Sequence, residues 1–514
     1  MSNNDQISLR VFGLLICVPG IMAIASMPVG WLFGEFYMTI PFLATALVSG
    51  GVGLGLYRWL KPYRLAHMRR AVVIVAAAWL GICVLSTIPY LLVANHFSNL
   101  ADSSSNMSEF LDPWNAMFEA TSAFTSAGLS VTKDVATLPR AMQWWRSFSQ
   151  WVGGVGIVVL VLSVMDPQVN PDRLYNAEAR EAQFAGTLRE TTQRIWLIYL
   201  LLTAISIGLF WAAGMGLWPA INHGMTGIAT GGFTITRRGF EDYGPVIKLA
   251  AIPVMLMGAI SFSVYANVMR GRLSSLWSDS RYRALWLLLI VGAVLMNLEV
   301  YWDQSRWRWI DGTFQWVSAL TTCGFGAVNE EDWSATARLM MIAAMVCGAV
   351  SGSTVGGLKL DRVVILWKAA VRHLRMVYRP ALEHFEYSVD GEVLDEEDAL
   401  RQLKSAVVPA MLWVIAIGLG CILLSHVAVS KSFLNILFET ASALGTTGLS
   451  AGVVDASSSW LSKMTLVLLM WAGRLEIIPV VIMLSWLPRL FNGDWDRPGQ
   501  RGQQGQDSEV AEPL

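Results

Sequence analysis

Four turns of small residues, each built around a glycine, recur about every hundred residues along the chain. They lie at 125–130, 230–234, 321–325 and 445–450, and they align on one glycine each. Glycine permits a backbone with φ > 0, so successive carbonyl groups can point to one side. A ring of such carbonyls can replace the hydration shell of a monovalent cation without a fixed negative charge. Four turns in register therefore predict a ring-shaped path for a cation.

The candidate ion-binding residues of each turn are the aligned glycine and the two residues before it. A single turn of this kind would be an ordinary helix C-cap, and only the fourfold repetition favours a pore. The twelve residues are Ser126, Ala127, Gly128, Thr230, Gly231, Gly232, Thr322, Cys323, Gly324, Thr446, Thr447 and Gly448.

The composition indicates a polytopic membrane protein. Of the 514 residues, 54% are hydrophobic and 15% are charged, and the mean hydropathy is +0.49, which is too apolar for a soluble protein. The net charge of −1 does not indicate nucleic-acid binding. Five cysteines and six histidines are scattered without the spacing of a disulfide framework or a zinc site. We therefore expect no cofactor in this chain, and the cluster of His, Asp or Glu that a membrane enzyme needs is missing from the sequence.

Ten apolar runs are each long enough to cross a bilayer, for which about 20 residues are needed. Four shorter apolar segments, near 113–124, 219–229, 310–321 and 433–444, precede the glycine turns and indicate re-entrant helices. Irregular backbone at membrane depth is tolerated only inside the protein or along a watery cavity, so the turns should face a pore. The ten long runs lie near 10–33, 36–59, 71–94, 147–165, 194–214, 246–268, 283–301, 338–368, 405–428 and 463–487.

This pattern predicts an all-α polytopic membrane protein in which four helix–pore-loop–helix repeats surround a central pore. An N-terminal pair of helices is added outside the repeats. Its first run resembles a signal peptide but is long for one, which favours a retained helix. The predicted segments are an N-terminal two-helix segment at 1–65, pore repeats at 66–180, 181–275, 276–385 and 386–492, and a disordered cytoplasmic tail at 493–514.

The distribution of basic residues predicts the orientation in the membrane. Blocks of Arg and Lys occur at 58–70, 270–283 and 368–379, on the side opposite the glycine turns. By the positive-inside rule these linkers are cytoplasmic. The turns therefore open to the outside, and both termini are expected in the cytoplasm.

Three charged residues stand within or beside the apolar segments. Glu119 and Glu439 each precede an aligned glycine by nine residues, where they either add negative field or, as we favour, anchor a backbone amide. Arg474 lies inside the last apolar run, where a charge costs about 2.5–3.5 kcal/mol on insertion scales. It is either a functional charge in the pore or one half of an ion pair between helices.

The segment 351–357 interrupts an otherwise long apolar run with small residues. Its spacing is not that of a phosphate loop. It is therefore either an unwound, mobile segment or a glycine-rich kink at a helix contact.

Several stretches resemble the Trk/Ktr/HKT potassium transporter superfamily, and the added N-terminal pair makes the Trk-type potassium uptake membrane subunit the most similar. The resemblance covers about residues 10–490 and implies potassium ion as the substrate, bound by the twelve residues of the four turns. In this superfamily a glycine at the Gly128 position goes with potassium selectivity. The stretches are the four glycine turns, 151–157, 352–359 and 473–476.

The resemblance also implies how flow is controlled. An electrostatic barrier is expected at Arg474, with Glu476 as its possible partner. The expected assembly is a homodimer in the lipid bilayer of the bacterial inner (plasma) membrane. A peripheral cytosolic nucleotide-binding (TrkA-like) regulatory subunit is expected to control the gate, since this chain has no nucleotide-binding fold of its own. The expected gate residues below the turns are Gly352, Ser353, Thr354, Gly356 and Gly357.

A second interpretation is a sodium- or proton-coupled secondary transporter that works by alternating access. Such transporters bind their substrate at broken helices near the membrane midplane, and many are built from two inverted repeats. Four repeats with the same orientation argue against this interpretation.

Overall fold

The computed structural model describes most of the chain, and two small strand pairs lie outside its helical body. Ile7–Ser8 pairs with Arg64–Leu65, and Tyr387–Val389 pairs with Glu392–Leu394, both antiparallel. The predicted all-α polytopic class is confirmed, while the predicted tail at 493–514 lies outside the described residues. The described residues are 7–8, 10–59, 64–65, 68–99, 106–164, 188–328, 332–378, 387–389, 392–394 and 396–491.

Each of the four repeats has a leading helix, a short helix, a glycine turn and a trailing helix. The leading helices are Met68–Leu85 with Ile88–Asn99, Leu188–Ala212, Ser280–Gln304 and Glu396–Val427. The short helices are Pro113–Phe124, Leu217–Ile228, Trp309–Leu320 and Phe433–Leu444. The trailing helices are Arg140–Val164, Pro245–Ala259, Ala335–Cys347 and Trp460–Arg474. Short 3-10 turns are Phe36–Met38, Asn106–Leu111, Val135–Thr137, Gly239–Asp242 and Leu273–Leu276.

The N-terminal pair consists of Arg10–Ile16 with Val18–Leu32, followed by Thr39–Trp59. It is joined to the first repeat through Glu35. The two carboxylate oxygens of Glu35 accept hydrogen bonds from the amides of Arg140 and Ala141, both at 2.8 Å. These amides belong to the first turn of a trailing helix, where the backbone donors lack helical partners and a negative charge is favoured. The pair is therefore anchored by a helix cap as well as by packing.

The ten predicted crossings are not ten straight helices. Six helices among the described residues are long and apolar enough to cross a membrane. Two of the other predicted crossings are bent helix pairs, and the number of crossings rises to eight if each pair counts as one span. Pro245–Ala259 meets Phe262–Met269 at 99°, and Trp460–Arg474 meets the helix beginning at Ile478 at 114°. The remaining two predicted crossings correspond to the trailing helix of repeat 1, which has 25 residues, and to that of repeat 3, which has 13 residues.

The third trailing helix is interrupted, as the sequence predicts, whereas the bends in repeats 2 and 4 were not predicted. The helix ends at Cys347 and resumes as Leu360–Tyr378. The intervening residues, 348–359, are called the 348–359 loop below. The bend in repeat 2 falls in a largely apolar stretch, and the bend in repeat 4 falls between Arg474 and Ile478, at a break that contains Glu476. The periodicity of apolar residues does not by itself distinguish a bent helix from a straight one.

The short helices lie in the protein interior rather than in contact with lipid. From Phe118 to Phe124 every residue of the first one is buried, and the other three are buried in the same way towards their C-terminal ends. The leading helices instead expose large apolar side chains, such as Leu287 and Ile290, whose exposed fractions are 63% and 66%. Apolar surface of this kind suits a lipid environment.

In three of the four repeats, a glycine in the trailing helix lets that helix touch the end of the short helix in its own repeat. A methyl group on Gly153 or Gly473 would lie 2.8 Å from the carbonyl carbon of Phe124 or Leu444, the last residues of two short helices. In repeat 2, Gly258 takes the same position, and a methyl group there would lie 3.0 Å from the carbonyl oxygen of Ile228. These glycines hold the glycine turns close to the trailing helices.

We expect the substitution Gly473→Ala to destabilise the protein. The added methyl group would overlap the Leu444 carbonyl group, which belongs to backbone and cannot move aside; overpacking of this kind costs about 1–3 kcal/mol. The matched control is Gly418→Ala, in a helix where nothing lies within 4 Å of the new methyl group and where alanine is the better helix former. The measurement is the thermal unfolding temperature in detergent. Equal temperatures for the two variants would contradict the expectation.

Candidate functional site

The four short helices end in the same way. In each turn, the backbone amide of the second predicted ion-binding residue donates to the carbonyl oxygen five residues earlier, which is the Schellman type of helix ending. The four hydrogen bonds are Ala127 N to Ser122 O at 2.9 Å, Gly231 N to Thr226 O at 2.9 Å, Cys323 N to Ser318 O at 3.0 Å, and Thr447 N to Ser442 O at 2.9 Å. The repeat seen in the sequence is therefore a repeat of backbone geometry.

Two residues of every turn have positive φ angles. The aligned glycines have φ between 72° and 96°, a conformation that glycine adopts without steric cost. Two positions before each aligned glycine, a non-glycine residue also has its backbone in the left-handed region. This conformation costs about 1–2 kcal/mol for each such residue. The four are Ser126 at 52°, Thr230 at 47°, Thr322 at 47° and Thr446 at 46°. The same strained angle in four places indicates that the backbone is held for a purpose other than stability.

The four glycines meet around one centre. A methyl group on Gly232 would lie 3.0 Å from Gly324 Cα, one on Gly324 would lie 3.1 Å from Gly448 Cα, and one on Gly448 would lie 2.9 Å from Gly128 Cα. Each glycine also lies against the carbonyl oxygen that precedes the glycine of the next repeat. The pairs run in repeat order and close on themselves: Gly128 with Gly231 O, Gly232 with Cys323 O, Gly324 with Thr447 O, and Gly448 with Ala127 O.

In three of the repeats, an acidic or amide side chain of the short helix accepts a hydrogen bond from a backbone amide that follows the glycine turn. Such a side chain is called a brace below. Glu119 accepts hydrogen bonds from Ser130 Oγ at 2.9 Å and from the Val131 amide at 3.3 Å. In repeat 4, Glu439 accepts in the same way from Ser450 Oγ at 2.9 Å and from the Ala451 amide at 2.8 Å. The interpretation that these two glutamates anchor backbone amides is confirmed.

The third turn has an amide in the equivalent place. Gln315 Oε1 accepts a hydrogen bond from the Ala327 amide at 3.2 Å, again twelve residues along the chain. In all three cases the side chain comes from the short helix and the amide from the segment that leaves the glycine turn. The brace therefore fixes each of these three turns within its own repeat.

The 348–359 loop lies directly against the glycine turns. Thr354 Oγ1 is 2.9 Å from Ile228 O, 3.0 Å from Gly258 O and 3.2 Å from Thr230 Oγ1. The Gly356 amide donates to Thr322 Oγ1 at 2.9 Å. The loop thereby contacts repeats 2 and 3 at the level where their turns begin.

The same loop reaches repeat 4 and is fixed internally. A methyl group on Gly356 would lie 3.1 Å from the carbonyl carbon of Gly445. Ser353 Oγ donates to Val350 O at 2.6 Å, and Gly352 O accepts from the Phe262 amide at 3.1 Å. Both Gly352 and Gly357 have positive φ angles, 76° and 82°. All five residues predicted for the gate are therefore brought together beneath the turns.

Arg474 is buried and binds backbone carbonyl groups instead of a carboxylate. Its Nη1 donates to Thr354 O at 2.8 Å, and its Nη2 donates to Gly153 O at 2.9 Å and to Gly154 O at 2.8 Å. The guanidinium group thus joins the 348–359 loop to the trailing helix of repeat 1. The contacts described above connect the loop to repeats 2, 3 and 4, so Arg474 adds the connection to repeat 1.

The expected pairing of Arg474 with Glu476 is wrong. Glu476 forms ion pairs with Lys359 and with Arg362, the latter at 2.7 Å. The trailing helix ends at Arg474, and Glu476 has a φ angle of 65° in the break before the next helix. This reversal of the backbone sends the two side chains to different neighbours.

Comparison with known proteins gives the family. The sequence profile of TrkH, described as a cation transport protein, matches residues 45–492 of this chain. The chain belongs to the TrkH family.

Individual relatives agree with this assignment. The Trk system potassium uptake protein TrkH of Vibrio parahaemolyticus is 28% identical over 501 residues, covering 93% of this chain and 98% of the relative. An uncharacterized cation transporter of Methanocaldococcus jannaschii is also 28% identical, with 93% and 95% covered. The crystal structure of the potassium transporter TrkH from Vibrio parahaemolyticus has a TM-score of 0.78 to this chain at 24% identity, covering 93% of this chain and 97% of that one. That likeness shows the fold.

As a TrkH-family member, the chain is a multi-pass membrane cation transporter and not an enzyme. No group of three or more His, Cys, Asp or Glu residues that suits a metal ion occurs in the part of the chain that the structure describes.

A second ring of contacts in this TrkH-family chain was missed by sequence reasoning. The fourth residue of every trailing helix is polar and binds the beginning of the short helix in the next repeat. The pairs are Gln143 Oε1 with Trp218 Nε1 at 3.0 Å, Lys248 with Asp311 at 2.8 Å, Arg338 with Asn435 at 2.6 Å, and Lys463 with Asp112 at 2.9 Å. The signal was present, since each polar residue follows its aligned glycine by 14 to 16 residues, but the partners depend on the order of the repeats in the ring.

Proposed function

We propose that the chain carries out potassium uptake through the four glycine turns, with backbone carbonyl oxygens as the ligands of the dehydrated ion. The observation that carries this proposal is the closed ring of glycines and neighbouring carbonyl groups, in which no charged side chain takes part. Carbonyl oxygens can replace the hydration shell of a potassium ion. Two of the similar proteins are named potassium uptake proteins of the Trk system, from Vibrio parahaemolyticus and Escherichia coli.

The short helices support cation passage electrostatically. Each ends at a glycine turn, so the partial negative charge of four helix C-termini adjoins the ring. The membrane potential supplies the driving force, since it favours inward movement of a cation by about 2.3 kcal/mol per charge per 100 mV. Uptake therefore needs no chemical step within this chain and no bound cofactor.

Flow through the ring is controlled by the 348–359 loop and by Arg474. The loop lies under three turns, and its backbone has two positive-φ glycines that permit rearrangement. The positive charge of Arg474 opposes a cation that arrives next to Thr354. Opening therefore requires the loop to leave its contacts with Thr230, Thr322 and Arg474.

The proposed cellular arrangement is a homodimer in the bacterial inner membrane, with both termini in the cytoplasm. A peripheral cytosolic nucleotide-binding subunit of the TrkA type regulates the loop. Lys359, the last residue of the loop, and Arg362, just beyond it, form ion pairs with Glu476. These ion pairs offer the regulatory subunit a mechanical connection to the loop. Ion selectivity, gating and the regulatory partner are testable separately.

The deciding experiment is growth rescue of a potassium-uptake-deficient bacterium in low-potassium medium, with and without a co-expressed regulatory subunit. We expect growth that depends on this chain, and rubidium or potassium flux in proteoliposomes. Flux that requires a sodium or proton gradient would favour the alternating-access transporter instead.

We expect the substitution Thr354→Val to raise flux in the absence of a regulatory subunit. Valine keeps the shape of threonine but removes the hydroxyl that contacts Ile228 O and Gly258 O. Leaving such groups unpaired costs about 1–3 kcal/mol, which weakens the closed arrangement of the loop. The matched control is Ser351→Ala, because Ser351 Oγ is buried without a hydrogen-bond partner among the described residues. Equal rubidium flux in the two variants would contradict the gate assignment.

A further inference from the structure

The second glycine turn lacks the brace that the other three turns have. The position of Glu119, Gln315 and Glu439 is occupied in repeat 2 by His223, which is buried. His223 Nδ1 lies 2.8 Å from Pro219 O in its own helix, and its Nε2 has no hydrogen-bond partner among the described residues. The imidazole is surrounded by aromatic rings, with Phe240 at 5.2 Å between ring centroids. His223 therefore does not hold the segment that leaves the second turn.

Within its own repeat, this segment is contacted by Thr226, whose Oγ1 donates to Phe233 O at 2.9 Å, but no side chain at the position of His223 binds its amides. Two side chains from the first repeat reach the segment as well. Gln150 Nε2 donates to Gly231 O at 2.6 Å, and Gln150 Oε1 accepts from the Phe233 amide at 3.1 Å. The single amide group therefore binds the residues on both sides of Gly232. The backbone carbonyl of Gln150 also accepts a hydrogen bond from Ser126 Oγ at 3.2 Å, so this residue contacts the first turn as well as the second.

Arg146 lies one helical turn before Gln150 and acts on the same segment. Its Nη1 donates to Thr234 O at 3.1 Å, and its guanidinium carbon lies 4.0 Å from the centre of the Phe233 ring. Its Nε donates to Glu119 Oε1 at 2.7 Å, so the charge is neutralised by the brace of the first turn. Both groups of this ion pair are buried, at 1% and 0% exposed, where the loss of one partner is strongly destabilising.

No other repeat has such a pair. The eleventh residue of each trailing helix corresponds to Gln150, and in the other three it is methionine: Met255, Met345 and Met470. The seventh residue corresponds to Arg146, and in the others it is apolar: Ala251, Met341 and Leu466. The polar pair thus occurs only where the following repeat lacks its own brace.

We propose that Gln150, supported by Arg146, replaces the missing brace of repeat 2 and is a positioning residue for ion selection. The amide of Gln150 fixes the direction of the Gly231 carbonyl, which lies against Gly128 in the ring. The first and second turns are therefore coupled, whereas the other turns are braced within their own repeats. This inference rests on the proposed conduction of potassium through the four turns.

The test measures the potassium-to-sodium permeability ratio in proteoliposomes or planar bilayers for variants at position 150. Gln150→Met reproduces the residue of the other repeats and keeps the packing, while Gln150→Glu keeps the acceptor but loses the donor to Gly231 O. We expect both to lower the ratio about tenfold, the effect of roughly one lost buried hydrogen bond. The matched control is Ser149→Ala, since Ser149 is buried and its hydroxyl has no partner among the described residues; its ratio should equal that of the parent chain.

A compensating substitution separates positioning from a general structural role. In Gln150→Met combined with His223→Gln, the new glutamine stands where Gln315 stands in repeat 3, and we expect it to restore the ratio by binding the Ile235 amide. A shorter variant, Gln150→Asn, provides a further comparison if Gln150→Met is recovered unfolded. The parent ratio in a folded single variant, Gln150→Met, Gln150→Glu or Gln150→Asn, would overturn the inference.

The outcome also distinguishes this inference from the proposed function. If the parent chain shows no preference for potassium, the proposed function fails. If the parent prefers potassium and Gly232→Ala abolishes the preference while Gln150→Met retains it, only the role of Gln150 is wrong.

Discussion

Replacing Gly448 with alanine will remove the preference for potassium over sodium in this chain. The new methyl group would overlap Ala127 O and lie 2.9 Å from Gly128 Cα, so the fourth and first turns must move apart. The backbone at position 448 has a positive φ of 96°, which is unfavourable for alanine by about 1–2 kcal/mol. A wider and less regular ring holds the hydrated sodium ion and the dehydrated potassium ion with similar free energies, so we expect a permeability ratio near one.

The control for Gly448→Ala is Gly214→Ala. Gly214 has a φ angle of 95°, nearly the same as Gly448, but nothing lies within 4 Å of an added methyl group. The control thus carries the backbone strain without the collision in the ring. Gly232→Ala is a second ring variant, with its methyl group 3.0 Å from Gly324 Cα. An undiminished preference for potassium in both Gly232→Ala and Gly448→Ala would show that the four turns do not select the ion.

The sequence predicts the architecture of this chain well because the repeated signals are local. A run of apolar residues, a small-residue turn and an aligned glycine can be read within one repeat, and the short helices begin and end within a few residues of the predicted positions. Glu119 and Glu439 were interpreted correctly for the same reason, since both bind amides only twelve residues away.

Contacts between repeats could not be predicted in this way. Gln150 lies 81 residues from Gly231, and Arg474 lies 321 residues from Gly153. The partner of each depends on which repeats are neighbours in the ring and on where a helix bends. The error over Glu476 has the same origin. The family resemblance gave Glu476 as a possible partner of Arg474, but the break after Arg474 turns Glu476 towards Lys359 and Arg362.

Replacing Arg474 with alanine will raise potassium flux in the absence of a regulatory subunit. The substitution removes three hydrogen bonds that join Thr354 O to Gly153 O and Gly154 O, and it removes a positive charge beneath the ring. Two unit charges 4 Å apart repel by about 4 kcal/mol at an effective dielectric constant of 20. If the substitution lowers the free-energy barrier to ion passage by about a third of that repulsion, the flux rises about tenfold. The measurement is rubidium uptake by proteoliposomes, normalised to folded protein.

The variants Arg474→Lys and Arg474→Met separate the two contributions. Lysine keeps the positive charge but has a single nitrogen, which cannot span the loop and the trailing helix as the planar guanidinium does. If charge dominates, Arg474→Lys stays near the parent flux and Arg474→Met resembles Arg474→Ala. If the carbonyl contacts dominate, both variants raise the flux, because the 348–359 loop loses its connection to repeat 1. Unchanged or abolished flux in folded Arg474→Ala would mean that this residue only stabilises the fold.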